Sequence, residues 1–335
     1  MIKNNFQSLL QRYFLNYMIS QKRVSYCTIL NYRDTFRMLF KFFKDELKIN
    51  SSKLTMNLMC RDNILNFMKY LEKVRKNKSR TINNRLAAIK SFMQYVSYEY
   101  PEYAQLSYKI NIIPFRKIIK NEVNYLTKEE IESLLNACDN SSTIGSASYL
   151  IILLLYNTGV RVSEMISLKK DNVFFSNHNH CYIKVMGKGR KERTIPLWNN
   201  TSKYLIKYIE DNKIQNKEYL FSGRNIVHLT RSGVRHRIDC VVKLAEKKCA
   251  SLKNKKITPH VFRHSTGMSL LQAGVDISTI AILLGHESVE TTHKYMIADL
   301  KIKEVALSKI QNPNTKDKNT KYHPANDILK FLNEL

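Results

Sequence analysis

The stretch YLIILLLYNTG, residues 149–159, constrains this chain more than any other. Its apolar run carries no charge, so as a helix it has no face to offer water and belongs in a core. Gly159 suits the left-handed residue just past a helix end, so the helix stops there. With 335 residues and 44% hydrophobic content, the chain has material for two domains with buried cores. Few Gly and Pro fit a folded, mostly helical protein.

The first hundred residues repeat apolar side chains at helical spacing. Phe6, Leu10, Tyr13 and Tyr17 mark one face; Ile29, Tyr32, Phe36, Leu39 and Phe43 a second. Ile64, Phe67 and Leu71 mark a third, and Ile82, Leu86, Ile89, Met93 and Val96 a fourth. Residues 101–125, with Pro101 and Pro114, show no clear period and read as linker. A fresh start follows at LTKEEI, where Thr127 and Glu130 form a capping box and Leu126 and Ile131 a hydrophobic staple. NVFF, CYIKVM and ERTIPL read as three short strands, with GKGRK (187–191) as the tip of the second hairpin. Helices resume near Thr201, Ser232, Thr258 and Ile277. Residues 312–324 read as a polar linker, and NDILKFLNEL as a short amphipathic helix with Ile328, Leu332 and Leu335 on one face. The expected domains are a helical DNA-binding domain at 1–107, a linker at 108–125, a catalytic domain at 126–311, and a linker plus C-terminal helix at 312–335. The expected fold class is mainly α with a small antiparallel sheet.

The formal net charge of +27 calls for a polyanionic partner, nucleic acid or an acidic membrane. Residues 1–120 carry 23 Lys and Arg against 7 Asp and Glu, and residues 121–335 carry 32 against 21. The excess covers both halves, as a grip on one polyanion from two sides requires. KVRKNKSRTINNRLAAIK places Lys78, Arg80, Arg85 and Lys90 on or before the fourth helix as candidate contacts to a DNA backbone. No run of about 18 apolar residues suggests a membrane span, and the N-terminus is too polar for a signal peptide. Six cysteines without a CxxC pair fit reduced thiols in a cytoplasmic protein, with neither a disulfide frame nor a zinc site. HNHC (178–181) lacks a second ligand pair nearby and reads as a polar turn.

Five sites could carry chemistry. TGVRVSEMISL places Arg161 after a helix stop with Glu164 one turn on; GKGRKER presents Lys188 between glycines, with Arg190 beside it. TPHVFRH starts a helix at Thr258 and Pro259, with His260 and Arg263 on one face and His264 next. LLGHES gives His286 and TTHKY gives Tyr295. Singly each is weak, since an arginine beside a glutamate or a lysine on a turn is ordinary. Together they suit phosphodiester chemistry. Two guanidiniums match the non-bridging oxygens of one phosphate, imidazoles orient or protonate it, and a lysine can protonate a leaving alkoxide. A tyrosine can attack and hold the phosphate covalently. No carboxylate cluster for a metal is visible, and arginines take its electrostatic part.

TGVRVSEMISL, GKGRKERTIPL, TPHVFRHSTGMSLLQAG and LLGHESVETTHKY, in this order and at this spacing over roughly residues 125–310, resemble the tyrosine recombinase, or phage integrase, family. The N-terminal helices are similar, more loosely, to that family's core-binding, SAM-like domain. The resemblance implies that Tyr295 forms a 3′-phosphotyrosyl link and frees a 5′-hydroxyl. It implies that Arg161 and Arg263 clamp the scissile phosphate, Lys188 is the general acid, His260 assists proton transfer at Tyr295, and His286 bonds the phosphate. Glu164 would hold Arg161 or its helix, and His264 would be structural. Bond energy is conserved through the phosphotyrosine, so neither ATP, metal nor other cofactor is implied. The implied partners are double-stranded DNA and further copies of the chain, four on two sites, with other recombinase subunits or accessory proteins beside them. The expected role is to integrate or excise a mobile element. The competing expectations are a type IB topoisomerase-like nicking-closing enzyme and a DNA-binding protein without catalysis.

Overall fold

Helical periodicity in the first hundred residues and a restart at Leu126 predict two cores, and the computed structural model has two compact units, 1–121 and 122–335. It describes residues 6–118, 124–175, 181–187, 191–223 and 228–286, together with Thr292 and Tyr295. The expected C-terminal helix lies outside the described residues.

The first unit is all helical. Its elements are α1 (Phe6–Arg12), continued as a π-helix (Tyr13–Gln21), α2 (Tyr26–Asp45), α3 (Arg61–Lys73), α4 (Ser79–Glu99) and α5 (Ala104–Asn111). The apolar faces read from the sequence meet around Phe92, whose ring packs edge-on to Phe6, Tyr13 and Phe36 at 5.3–5.7 Å between centroids. Edge-to-face packing aligns ring edges with ring faces of opposite polarity.

Residues 101–113 correct the linker expectation. α5 falls across the boundary drawn at 107 and is part of this core, with Ile110 and Ile113 buried. Ser107 donates to Met93 O at 2.8 Å. Eight residues between two prolines are too few for a period to stand out. Lys90 explains how so short a helix is held: its Nζ donates to Asn111 O at 2.8 Å and Ile113 O at 2.5 Å, two carbonyls at the end of α5. It also lies 4.5 Å from the Phe115 ring centroid. Asn83 then pairs with both backbone groups of Arg116.

The second unit is built around α7 (Thr143–Thr158), which buries residues on all sides, as its lack of a polar face requires. α6 (Lys128–Asn136) opens with the predicted capping box, and Leu126 and Ile131 are both buried. The buried Glu130 of that box also accepts from Ser251 Oγ and Lys255 Nζ, so one carboxylate joins the start of α6 to the approach to α11. The short α8 (Val162–Ile166) leads to a three-stranded antiparallel sheet in the order β1 (Val173–Phe175), β2 (Cys181–Met186), β3 (Glu192–Pro196). The register pairs Val173 with Ile183 and Ile183 with Ile195, which puts the buried residues on one face. α9 (Asn199–Asp211), α10 (Arg231–Ala245), α11 (Pro259–Gln272) and α12 (Ile277–Leu284) complete the unit. Among the described residues, no helix is long and apolar enough to cross a membrane.

If Lys90 is spent on α5, Lys90→Met should destabilise the protein by about 1–3 kcal/mol, the worth of charged hydrogen bonds. It should leave the salt dependence of DNA binding unchanged. Chemical unfolding and a salt titration of affinity check both; a shallower salt slope at unchanged stability would return Lys90 to the DNA surface.

Candidate active site

The buried helix α7 has to end before the chain can reach the sheet, and Gly159 ends it in the left-handed conformation at φ +58°. A side chain there would also strike Leu284, whose Cδ2 lies 2.4 Å from the place of a Cβ. The stop exposes Gly159 O, which accepts from Arg263 Nη1 at 2.7 Å. Two residues later Arg161 becomes the N-cap of α8 in place of a small polar residue.

Arg161 is held from three sides. Its backbone N–H donates to Glu164 Oε2 and its Nη1 to Glu164 Oε1, both at 2.9 Å; its Nη2 donates to Gly285 O at 3.0 Å. Glu164 is 5% exposed and accepts a second guanidinium, from Arg193, at 2.7 and 3.2 Å. Burial pushes the Glu164 carboxyl up, but Arg193 and Arg161 outweigh it and hold it below its ordinary 4.5.

α11 supplies the next groups. Pro259 stands in its first turn as expected, although Thr258 makes no side-chain cap bond. Arg263 is 5% exposed, and its Nη2 is buried with no hydrogen-bond partner among the described residues. Burial, then the Arg161 charge, pulls its guanidinium down to about 10. Such a group has room for one more acceptor, and an anionic oxygen makes the strongest bond to it. His260, open to solvent at the start of the helix, is held below 6.5 by desolvation against the wall and by Arg263 and Arg161. It is therefore neutral at pH 7 and able to take a proton.

His286 follows the end of α12, where Gly285 is left-handed at φ +65°. Its Nδ1 is 2.8 Å from Thr292 Oγ1, which fixes the ring. Tyr295 is 1% exposed and lies across Gly267 so closely that a methyl group there would come within 2.5 Å of its ring. Its hydroxyl is 3.2 Å from His264 Nδ1, in a hydrogen bond whose donor depends on the tautomer. Burial raises the phenol above 10, and Arg263 pulls the other way. The phenol is thus protonated at neutral pH, and the imidazole touching it is one the sequence pattern sets aside as structural.

Arg161, His260, Arg263, His286 and Tyr295 thus all fall in one unit around the ends of α7, α11 and α12. Lys188 and Arg190 lie outside the described residues; the root of their hairpin is closed by Gly187 N–H donating to Lys191 O at 2.8 Å. Lys78 and Arg80 are exposed at the start of α4. Arg85 turns inward, donating to Asn31 O and Thr35 Oγ1, and Lys90 caps α5. Arg193 is the site residue that motif spacing overlooks. It shares its strand face with buried Ile195, and a charge at an inward position was the available signal. Among the described residues, no group of His, Cys, Asp or Glu could hold a metal ion.

Glu164→Gln should cost about 3–5 kcal/mol, as when one partner of a buried ion pair is removed. Because the carboxyl is held below 4.5, its contribution is present above that value and fades as pH falls through its lower folded pKa. The stability gap between the native protein and this variant should therefore be widest above pH 4.5 and narrow in acid. Unfolding curves from pH 3 to 7 measure it; a gap that widens in acid contradicts the assignment.

Comparison with known proteins agrees with this geometry. Residues 124–301 match the model of the phage integrase family, and residues 12–99 that of the phage integrase N-terminal SAM-like domain. A Sinorhizobium fredii protein that carries the name integrase/recombinase y4rC is 37% identical over 98% of this chain and 97% of its own length. The tyrosine recombinase XerD of Listeria monocytogenes serotype 4b is 29% identical over 87% of this chain and 95% of its own. The solved structure of the Tn1549 transposon integrase in complex with a circular intermediate DNA has the same fold, with a TM-score of 0.68 at 18% identity over 91% of this chain and 98% of that one. The chain belongs to the phage integrase family and is a tyrosine-type site-specific recombinase that acts on DNA.

Proposed function

We propose that Tyr295 is the nucleophile of this recombinase and that Arg161, Arg263, His260, His286 and Lys188 serve it, in the integration or excision of a mobile DNA element. The observation that carries the reading is Arg263: a buried guanidinium with one N–H bonded to Gly159 O and another without a partner among the described residues, in the field of both Arg161 and Tyr295. Such a group is costly until an anion meets it.

In this reading a scissile phosphate lies between Arg161 and Arg263, which offset the charge that builds on its non-bridging oxygens. Tyr295 Oη attacks phosphorus, the P–O5′ bond breaks, and the 5′-oxygen takes its proton from Lys188. The phenol proton passes to an imidazole: His264 lies 3.2 Å from the hydroxyl, and His260, whose lowered proton affinity keeps it unprotonated at neutral pH, is the second acceptor. The reverse steps with a new 5′-hydroxyl reseal the strand. The relative named integrase/recombinase and the fold likeness to a transposon integrase support a mobile element as the substrate. Exchange of strands between two sites calls for several copies of the chain, four in the simplest arrangement. A bacterial mobile DNA element as substrate supports action in the cytoplasm, where that DNA lies.

Tyr295→Phe should abolish covalent attachment to a nicked suicide substrate while DNA affinity stays near that of the unaltered protein, since one hydroxyl adds little to a binding energy carried by cations. Denaturing gels of the adduct test this, and an adduct at the normal rate would remove Tyr295 from its role.

Lys188→Ala should slow cleavage by about 10²–10⁴-fold, the range of a general acid. A 5′-bridging sulfur, which leaves without a proton, should restore the rate. Equal slowness on the sulfur and oxygen substrates would show that Lys188 is not the acid.

A further inference from the structure

Arg193 is the third guanidinium at the site, and its side chain is 13% exposed against 27% for Arg161. Its donors point into the protein. Nε donates to Leu283 O at 3.2 Å, Nη1 to Glu164 Oε1 at 3.2 Å, and Nη2 to Glu164 Oε2 at 2.7 Å. The acceptors belong to two elements far apart in sequence, the start of α8 and the last turn of α12.

Its plane also lies against Gly285. A Cβ at that glycine would stand 2.9–3.1 Å from Nη1, Cζ and Nε of Arg193. Gly285 O is the acceptor for Arg161 Nη2, and the next residue is His286. Arg193 thus touches both supports of Arg161, namely Glu164 and the Gly285 turn, and the turn that delivers His286. A lysine would supply the charge for Glu164 but not three donors in one rigid plane.

We propose that Arg193 is a positioning residue for strand cleavage, which fixes through Glu164 and the Gly285 turn the directions in which Arg161 and His286 meet the phosphate. This rests on Arg161 acting as a phosphate clamp. Loss of Arg193 lets Glu164 and Gly285 drift, and Arg161 with them. The rate of attack falls, while affinity, set by many phosphate contacts elsewhere, does not.

The test uses the full chain and a half-site suicide substrate, with Arg193→Gln and Arg193→Lys compared with Arg161→Gln. Arg193→Gln should slow single-turnover adduct formation by about 10–100-fold, as for other groups that orient a reactive neighbour, with half-site affinity within about twofold. The deciding measurement is a second substrate whose scissile phosphate carries a methyl in place of one non-bridging oxygen. That phosphate has no negative charge for Arg161 to offset, so the defects of Arg193→Gln and Arg161→Gln should both shrink to about threefold or less. A defect of Arg193→Gln that is equal on both substrates would mean general distortion and overturn the proposal. So would a rate on natural DNA equal to that of the unaltered protein. If Arg193→Gln does not fold, the same ratio of defects in Arg193→Lys decides. If Arg161→Gln cleaves natural DNA normally, the clamp itself fails and the role of Arg193 with it; if only Arg161→Gln is rescued, the clamp stands and Arg193 alone is excluded.

Discussion

One carboxylate between two guanidiniums organises the catalytic unit. Glu164 takes four hydrogen bonds, from the Arg161 backbone, the Arg161 side chain and two Arg193 nitrogens. Burying such a triad is not a cheap source of stability, because desolvating each ion costs several kcal/mol before any attraction is counted. Its value is geometric. Residues 161 and 193 meet on Glu164, both arginines also reach 283–286 through Gly285 O and Leu283 O, and a bidentate charged contact tolerates less misplacement than apolar packing does. The three segments bring an arginine, the strand after the Lys188 hairpin, and His286 to the same place.

α11 is the second organiser, and it works because no face of it is idle. Arg263 reaches the end of α7 through Gly159 O, and Thr266 reaches Tyr156 O in the last turn of the same helix. Ser265 accepts from the Leu126 N–H at the domain start. His264 and Gly267 together receive Tyr295, one by a hydrogen bond and one by leaving room. His260, Arg263 and His264 thus sit on a helix braced by the largely buried α7. The glycines at 159, 267 and 285 mark the three places where side chains from separate elements close on a backbone.

What the sequence revealed and what it concealed divide along a physical line. The buried helix, its stop at Gly159, the Thr127 capping box and the three strands follow from residues within one turn or one hairpin of each other, so local rules reach them. The motifs at Arg161, Lys188, Arg263 and Tyr295 lie far apart in the chain, and the resemblance of their order and spacing to a known family, not a local rule, joined them. α5 was lost because Ile110 in the helix and Ile113 just beyond it make less than one helical repeat between prolines. The destinations of Arg85 and Lys90 were not legible, since a cation on a helix looks the same whether its acceptor is a phosphate or a carbonyl more than twenty residues away. Arg193 and His264 were concealed in another way. Their partners, Glu164 and Tyr295, lie 29 and 31 residues distant, and only the fold closes those gaps.

The charge balance at the site then ties folding to function. Arg161, Arg193 and Arg263 face a single ionised Glu164, and the neighbouring imidazole of His260 is held neutral. The site is therefore short of negative charge in the folded protein alone, and the Arg263 guanidinium, pulled down to about 10, records the cost. Its affinity for a proton is lower when folded than when free, so at neutral pH the charged form opposes folding at this position. A phosphodiester carries the one negative charge that reverses this. In the proposed complex that charge gives Arg263 Nη2, without a partner among the described residues, an acceptor, raises the affinity of His260 for a proton, and gives Arg161 a second anion besides Glu164. Binding energy and relief of that cost are then one quantity, drawn on where bonds to phosphorus form and break. A site without the excess would gain less from the phosphate it binds. It would not favour the extra charge that develops on a phosphate in flight between two oxygens.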